Sequence, residues 1–283
     1  MEHHRPARYA LEVKDALIVS LLSLVPRNRA AWLQGYLSRT PLSRWLCALF
    51  VRVYGLDMSE ASRPLGEYAT LEALFTRTLR PGARPIDATP EALVSPADGR
   101  VAATGITVDG RVEVAPGRRL DLRALLGAAG TGELDVLVIY LSPKDYHRVH
   151  VAREGRFHRW IYLPGTLWPV FPAAVRKIDN LFAKNERAWV RVVTDRGPLW
   201  SVMVGAYGVG RITLDHTDLV TNTGGPAQVV APDPAFPVTR GAPLGTFHLG
   251  STVVLVAPPG RWAWTIRAGD LPRVGRPIAR AVS

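Results

Sequence analysis

The chain has 283 residues, 47% of them hydrophobic and 21% charged, a globular composition with material for a sizeable core. Its formal charge of +11 calls for an acidic partner, either nucleic acid or an anionic membrane surface. The single cysteine, Cys47, excludes an internal disulfide framework and a cysteine-based zinc cluster, and it fits a reducing cytoplasmic setting.

Residues 9–55 read as helices. Within them, residues 16–25 (ALIVSLLSLV) are apolar but too short to cross a bilayer, and Pro26 stops the run. Glu2, Glu12 and Asp15 are out of place in a signal peptide, and no clear small-residue cleavage site follows. Trp32, Leu33, Tyr36, Leu37, Trp45, Leu46, Leu49 and Phe50 recur at roughly helical spacing, with Arg27, Arg29, Arg39, Arg44 and Arg52 among them. That pattern predicts helices lying in a membrane interface, drawn there by anionic lipid. The competing expectation is a helical lid packed on the protein's own core. Residues 70–80 (TLEALFTRTLR) predict another helix, capped by Thr70 and broken by PGARPID.

From Leu93 onward, short apolar runs alternate with glycine and proline turns, the pattern of a β-rich sandwich or barrel. One helical patch is expected at residues 173–182. The predicted fold class is α+β, with N-terminal amphipathic helices (residues 1–60) followed by a β-rich, sandwich- or barrel-like body (residues 61–283).

Three short segments hold the groups that can do chemistry. SPADGRV places Asp98 in a proline–glycine turn, where an exposed turn aspartate is the plain expectation. PKDYHRVH carries His147 and His150; no third ligand accompanies the pair, so no metal site is expected. LGSTVVLV sets Ser251 after Gly250 at the mouth of a strongly β-forming run, and a glycine there marks a bend or a close approach to the backbone. Together they supply a carboxylate, a base and a hydroxyl nucleophile.

No G-x-S-x-G elbow surrounds Ser251; the neighbouring carbonyl is that of Gly250, one bond upstream. An activated Ser251 hydroxyl can attack that carbonyl and convert the peptide to an ester. Elimination then releases the upstream chain and leaves dehydroalanine, and hydrolysis with loss of ammonia gives an N-terminal pyruvoyl group. The residues permit this chemistry alongside two others. One is a membrane-associated serine hydrolase using the Asp–His–Ser set on an external ester or amide. The other is a non-catalytic basic module that binds lipid or nucleic acid.

SPADGRV, YLSPKDYHRVH, YLPGTLWPV, LFAKNERAWV, VMVGAYGVGRI and LGTFHLGSTVVL, in this order, resemble the phosphatidylserine decarboxylase proenzymes of the pyruvoyl-dependent bacterial type. FTRTLRPGARPID and the helical N-terminus extend the likeness to nearly the whole chain. The resemblance implies self-processing by Asp98, His150 and Ser251, with cleavage between Gly250 and Ser251. It implies a membrane-associated large chain (residues 1–250) and a small chain (251–283) whose first residue becomes the pyruvoyl cofactor. His147 matches the histidine used in decarboxylation, and Tyr140 is a candidate for lining the substrate pocket.

Turnover would then pass through a Schiff base between phosphatidylserine and the pyruvoyl ketone, release carbon dioxide and yield phosphatidylethanolamine without pyridoxal phosphate. A histidine with a pKa near neutrality suits the protonation step. The implied partners are the lipid and its anionic membrane, on the cytoplasmic face as a peripheral protein, with large and small chains forming a heterodimer that can itself pair. No nucleic acid is implied. A pyruvoyl decarboxylase of soluble amino acids is the neighbouring alternative, which the amphipathic N-terminus opposes. Of the basic residues near Arg80, Arg84 and Arg176, most are expected to be solvated surface arginines, with the lipid phosphate as a conceivable partner. Because a uniform strand would turn His147 and His150 to opposite faces, an irregular segment is expected at residues 143–147, with regular strand only after it.

Overall fold

A computed structural model describes residues 27–127, 132–207, 211–248 and 251–282. The apolar run at 16–25 and the Gly250 side of the expected cleavage point lie outside these residues. Two helices begin the described chain, α1 (Arg27–Ser38) and α2 (Arg44–Tyr54), joined through a 3₁₀ turn at Pro41–Ser43. Ser43 bolts this unit together: its hydroxyl donates to the Ser38 carbonyl at 2.8 Å and accepts from the Leu71 amide at 2.9 Å. Cys47, Leu56, Tyr68 and Leu74 form a small core beneath α2.

The helix expected over residues 70–80 is shorter. Thr70 does cap it, accepting from the Ala73 amide at 3.1 Å, but the helix α3 ends after Leu71–Phe75. Beyond it the chain is drawn out: Leu79 bridges to Ala61, the Arg80 amide bonds to the Glu60 carbonyl, and the buried Arg77 reaches the Lys144 carbonyl at 2.8 Å. Tertiary pairing outweighs helical propensity there.

The body is built on one large antiparallel sheet. Its strands run in the order β11 (Gln228–Val230), β7 (Gly155–Leu163), β8 (Arg187–Thr194), β9 (Gly197–Val204), β14 (Ser251–Ala257), β5 (Asp135–Leu141) and β2 (Arg100–Ile106). A short strand, β12 (Phe236–Val238), also pairs with β7. The sheet has open ends and does not close, so of the two forms expected the layered one is found and the barrel is not.

β14 lies at the centre and all seven of its residues are buried, which is why it reads as a nearly unbroken apolar run. Alternate side chains serve two cores. Val253 and Leu255 pack with Leu137, Ile139 and Met203, against a sheet of β10 (Ile212–Leu214), β13 (Pro243–Phe247) and β6 (Arg148–His150) and another of β1 (Ala92–Val94), β16 (Pro277–Ala281) and β15 (Trp262–Trp264). Val254 and Val256 pack on the other face with Val136, Val202 and Phe75 and with Leu125 and Leu126 of α4 (Leu122–Leu126). A hairpin of β3 (Arg111–Ala115) and β4 (Arg118–Asp121) adjoins this second core.

The helical patch expected at 173–182 is two short helices, α5 (Pro172–Lys177) and α6 (Leu181–Lys184), with Asn180 between them in the left-handed region at φ 52°. An asparagine tolerates that conformation, and it interrupts what the apolar spacing suggests is one helix.

Candidate active site

The chain passes twice between the central sheet and the β10–β13–β6 sheet near His147 and Ser251. Residues 142–147 lead from β5 to β6, and residues 248–250 lead from β13 to β14. Both ends are pinned. Leu141, the last residue of β5, pairs with Ser251, and the Phe247 amide bonds to the His147 carbonyl at 3.0 Å. The irregular segment expected at 143–147 is present, and regular strand resumes only at Arg148. The packing is tight here: a Cβ on Gly245 would lie 2.7 Å from the Thr213 carbonyl oxygen of the neighbouring strand β10 and 2.8 Å from Met203 Sδ of β9 in the central sheet, so β13 needs glycine at that position.

Ser251 opens β14 with 1% of its surface exposed, and its hydroxyl has no hydrogen-bond partner among the described residues. His147 is equally enclosed. Its Nδ1 lies 2.8 Å from the Asp145 carbonyl, so Nδ1 carries the proton and Nε2 keeps its lone pair. That Nε2 is buried without a partner among the described residues, and the ring lies against Phe75 with centroids 3.9 Å apart. Burial, helped by the charge of Arg77 and opposed by the Asp145 hydrogen bond, pushes the imidazole down to about 3. The near-neutral histidine expected for the protonation step is therefore not what stands here; desolvation holds His147 firmly neutral.

His150 is oriented in the same way. Nδ1 donates to the Gly241 carbonyl at 2.8 Å, leaving Nε2 to accept from the Tyr146 hydroxyl at 3.3 Å. Burial lowers its pKa, while the Gly241 bond and the charge of Asp98 pull the other way. Asp98 is 7% exposed, not the open turn residue of the plain expectation. Its carboxylate is held by Arg84, whose Nε lies 3.0 Å from both oxygens, and by the Val274 amide at 2.8 Å. Asp98 and His150 thus share no direct hydrogen bond among the described residues; Asp98 acts on the imidazole by charge.

Asp98 does meet Tyr140. Both line a cavity of about 690 Å³ together with Arg77, Arg84 and Tyr146. The turn bearing Asp98 lies flat on β5, since a side chain on Gly99 would collide with the Tyr140 carbonyl oxygen. Burial pushes the Tyr140 phenol up, so it stays protonated. His147, His150 and Ser251 are not on the cavity wall.

Three residues at the site escaped the sequence reading. Tyr146 sits inside the quoted DYHRVH motif, four residues before His150, and that spacing was the available signal. Arg84 was grouped with the surface arginines, yet it is committed to Asp98 and, at 3.0 Å, to Glu60. Arg77 is 5% exposed, and its Nε and Nη1 have no partners among the described residues. Among the described residues, no group of three or more metal-ligating side chains occurs.

The sequence profile of the phosphatidylserine decarboxylases matches residues 71–280, which spans α3, both crossings and the whole of β14. The chain belongs to the phosphatidylserine decarboxylase family. Similar relatives include the phosphatidylserine decarboxylase proenzyme of Myxococcus xanthus, 35% identical over 94% of this chain and 99% of its own length. That of Anaeromyxobacter is 39% identical over 95% of this chain and 100% of its own. The Halorhodospira halophila proenzyme is 40% identical over 96% of each.

Proposed function

We propose that the chain is a proenzyme that cuts itself between Gly250 and Ser251, converts Ser251 to a pyruvoyl group and then decarboxylates phosphatidylserine to phosphatidylethanolamine. The observation that carries the reading is the position of Ser251. It is a desolvated hydroxyl with no hydrogen-bond partner among the described residues, at the junction of two sheets, beside the loop that holds His147. An unsatisfied buried hydroxyl costs roughly 1–3 kcal/mol, so one kept at the start of a rigid central strand calls for a reason.

In self-cleavage the Ser251 proton must pass to a neutral base. His150 fits that role: its Nδ1 is fixed on Gly241, its Nε2 holds the lone pair, and the nearby charge of Asp98 raises its basicity. Tyr146 keeps the Nε2 engaged until the proton arrives. The position of Ser251 also suits a pyruvoyl group, because Thr252, the next residue, is locked between Tyr140 and Val204 and cannot drift. Such a group supplies an electron sink for the pair left behind as carbon dioxide departs. His147 has an Nε2 with no partner among the described residues, in a dry setting, so a proton taken there is given up readily, as carbon protonation requires.

The apolar face of the first helices supports a lipid substrate. Leu42 is 78% and Trp45 85% exposed, beside Leu46, Leu49 and Val53, and exposed Arg39, Arg44 and Arg52 rim the patch. A face of this kind seats in a membrane surface and draws anionic lipid. This supports reading the chain as a peripheral membrane protein, placed by the proposal on the cytoplasmic face, and the positive charge then needs no nucleic acid. The cleaved chains would remain a heterodimer, and two heterodimers can associate. No described helix is long and apolar enough to span a bilayer. A hydrolase acting on an external ester is disfavoured by the burial of both Ser251 and His147.

The test is turnover of phosphatidylserine in vesicles by the purified full chain, with Ser251→Ala beside it. Phosphatidylethanolamine formed by the wild type alone is the expected result. Equal turnover by both proteins, or none by a fully cleaved wild type, would overturn the reading.

A further inference from the structure

Phe247 and His248 form the upstream arm of the Gly250–Ser251 junction, and contacts from several elements hold this arm. The Phe247 amide bonds to the His147 carbonyl at 3.0 Å, and the His248 amide bonds to the Arg211 carbonyl at 3.0 Å. A further contact is made by a side chain from a distant element: the Glu72 carboxylate of α3 meets both the Nδ1 of His248 and the guanidinium of Arg211 through one oxygen, Oε1. Arg39 of the helical region approaches the other oxygen at 3.8 Å.

The His248 ring is engaged on both nitrogens. Nδ1 meets Glu72 Oε1 and also lies 2.7 Å from Nη2 of Arg211, so carboxylate, imidazole and guanidinium close into one cluster. The Thr213 hydroxyl lies 3.1 Å from Nε2. Burial pushes the Glu72 carboxyl up, but the His248 hydrogen bond and the Arg211, His248 and Arg39 charges more than offset it, leaving Glu72 ionised. Burial lowers His248 against the pull of Glu72, which favours the neutral imidazole. Glu72 is 8% exposed, and Thr70 and Ser43 fix the helix that bears it. The downstream arm is already rigid, because Ser251 and Thr252 of β14 pair with Leu141 and Tyr140 of β5. Self-cleavage needs a carbonyl held at the attack angle of the hydroxyl, so the upstream arm must be rigid too.

We propose that Glu72 is a positioning residue for self-cleavage, acting through His248 to fix the arm that presents the Gly250 carbonyl to Ser251. It touches neither reacting atom. This rests on the self-processing reading above and extends it to a residue 179 positions upstream of Ser251, the difference between 251 and 72. It also ties the cleavage point to the helical region through α3.

The experiment follows conversion of freshly made full chain into its two fragments by intact mass and gel. It compares wild type, Ser251→Ala, Glu72→Gln, Glu72→Asp, His248→Ala and the Glu72→Gln/His248→Ala double variant. Thermal unfolding of each change in the Ser251→Ala background reports whether the fold survives. Glu72→Gln is expected to slow conversion roughly 10- to 100-fold, the scale set by a small misplacement of reacting groups. Glu72→Asp, which keeps the charge, should recover part of the rate. The double variant should be no slower than the slower single, whereas independent structural damage would multiply the two losses. If Glu72→Gln fails to fold, His248→Ala decides the matter alone. Wild-type speed in the folded variants, with the wild type cleaving normally, overturns the role of Glu72 and leaves the self-processing reading intact. A wild type that never cleaves overturns both.

Discussion

His147 and His150 lie three residues apart, and their surroundings assign them different work. His147 has an enclosed Nε2 with no partner among the described residues, whereas the Nε2 of His150 is met by Tyr146 and its ring feels Asp98. His147→Ala is therefore expected to leave fragment formation intact while turnover of phosphatidylserine falls by about 100-fold or more, the usual weight of a lost proton-transfer group. His150→Ala and Asp98→Asn should instead arrest the chain uncut. Intact mass read together with product formation separates the two classes, and a His147→Ala chain that stays uncut would reverse the assignment. His147 also predicts a pH effect. Its folded-state pKa of about 3 lies below the ordinary 6.5, so as pH falls the unfolded chain binds the proton first. The stability tied to neutral His147 is complete above pH 6.5 and is lost as pH falls towards 3, with a slope of up to about 1.4 kcal/mol per pH unit. Urea unfolding of Ser251→Ala at pH 7 and pH 5 should show that loss, and adding His147→Gln should flatten it.

At the scale of elements, the first helices turn apolar side chains outward. Leu42→Glu with Trp45→Glu is expected to abolish co-sedimentation with anionic vesicles while leaving fragment formation unchanged. Retained binding would place the membrane contact elsewhere. The aromatic and arginine spacing made this face legible in the sequence, because helical period and side-chain chemistry are local properties. So was β14, whose unbroken apolar run betrays a strand buried on both sides, and so was the break before Arg148, expected if both histidines are to serve Ser251. What stayed hidden depends on contacts far apart in the chain. α3 stops at Phe75 because Arg77 and Leu79 are claimed by other segments. Asp98 is buried by Arg84, and His248 is held by Glu72; neither partnership has a local signature. The depressed pKa of His147 likewise comes from enclosure by Phe75 and its surroundings, which residue types alone do not reveal.

For the whole molecule, cleavage at Gly250–Ser251 would cut the chain without dividing the fold. The small chain contributes β14, with neighbours β9 and β5 on its two sides, as well as β15 and β16, which complete the sheet begun by β1. Burying each large aliphatic side chain of β14 contributes about 1.5–3 kcal/mol, so the fragments should co-elute in native buffer and part only in denaturant. The central claim is that Ser251 is the point of self-cleavage and the source of the prosthetic group. The most direct measurement is the intact mass of purified wild type beside Ser251→Ala. The account predicts two wild-type fragments meeting at Gly250/Ser251, the smaller one beginning with a pyruvoyl group, and a single uncut Ser251→Ala chain. A wild type that remains one chain with an ordinary serine at 251, or a Ser251→Ala chain cut at the same bond, would contradict it.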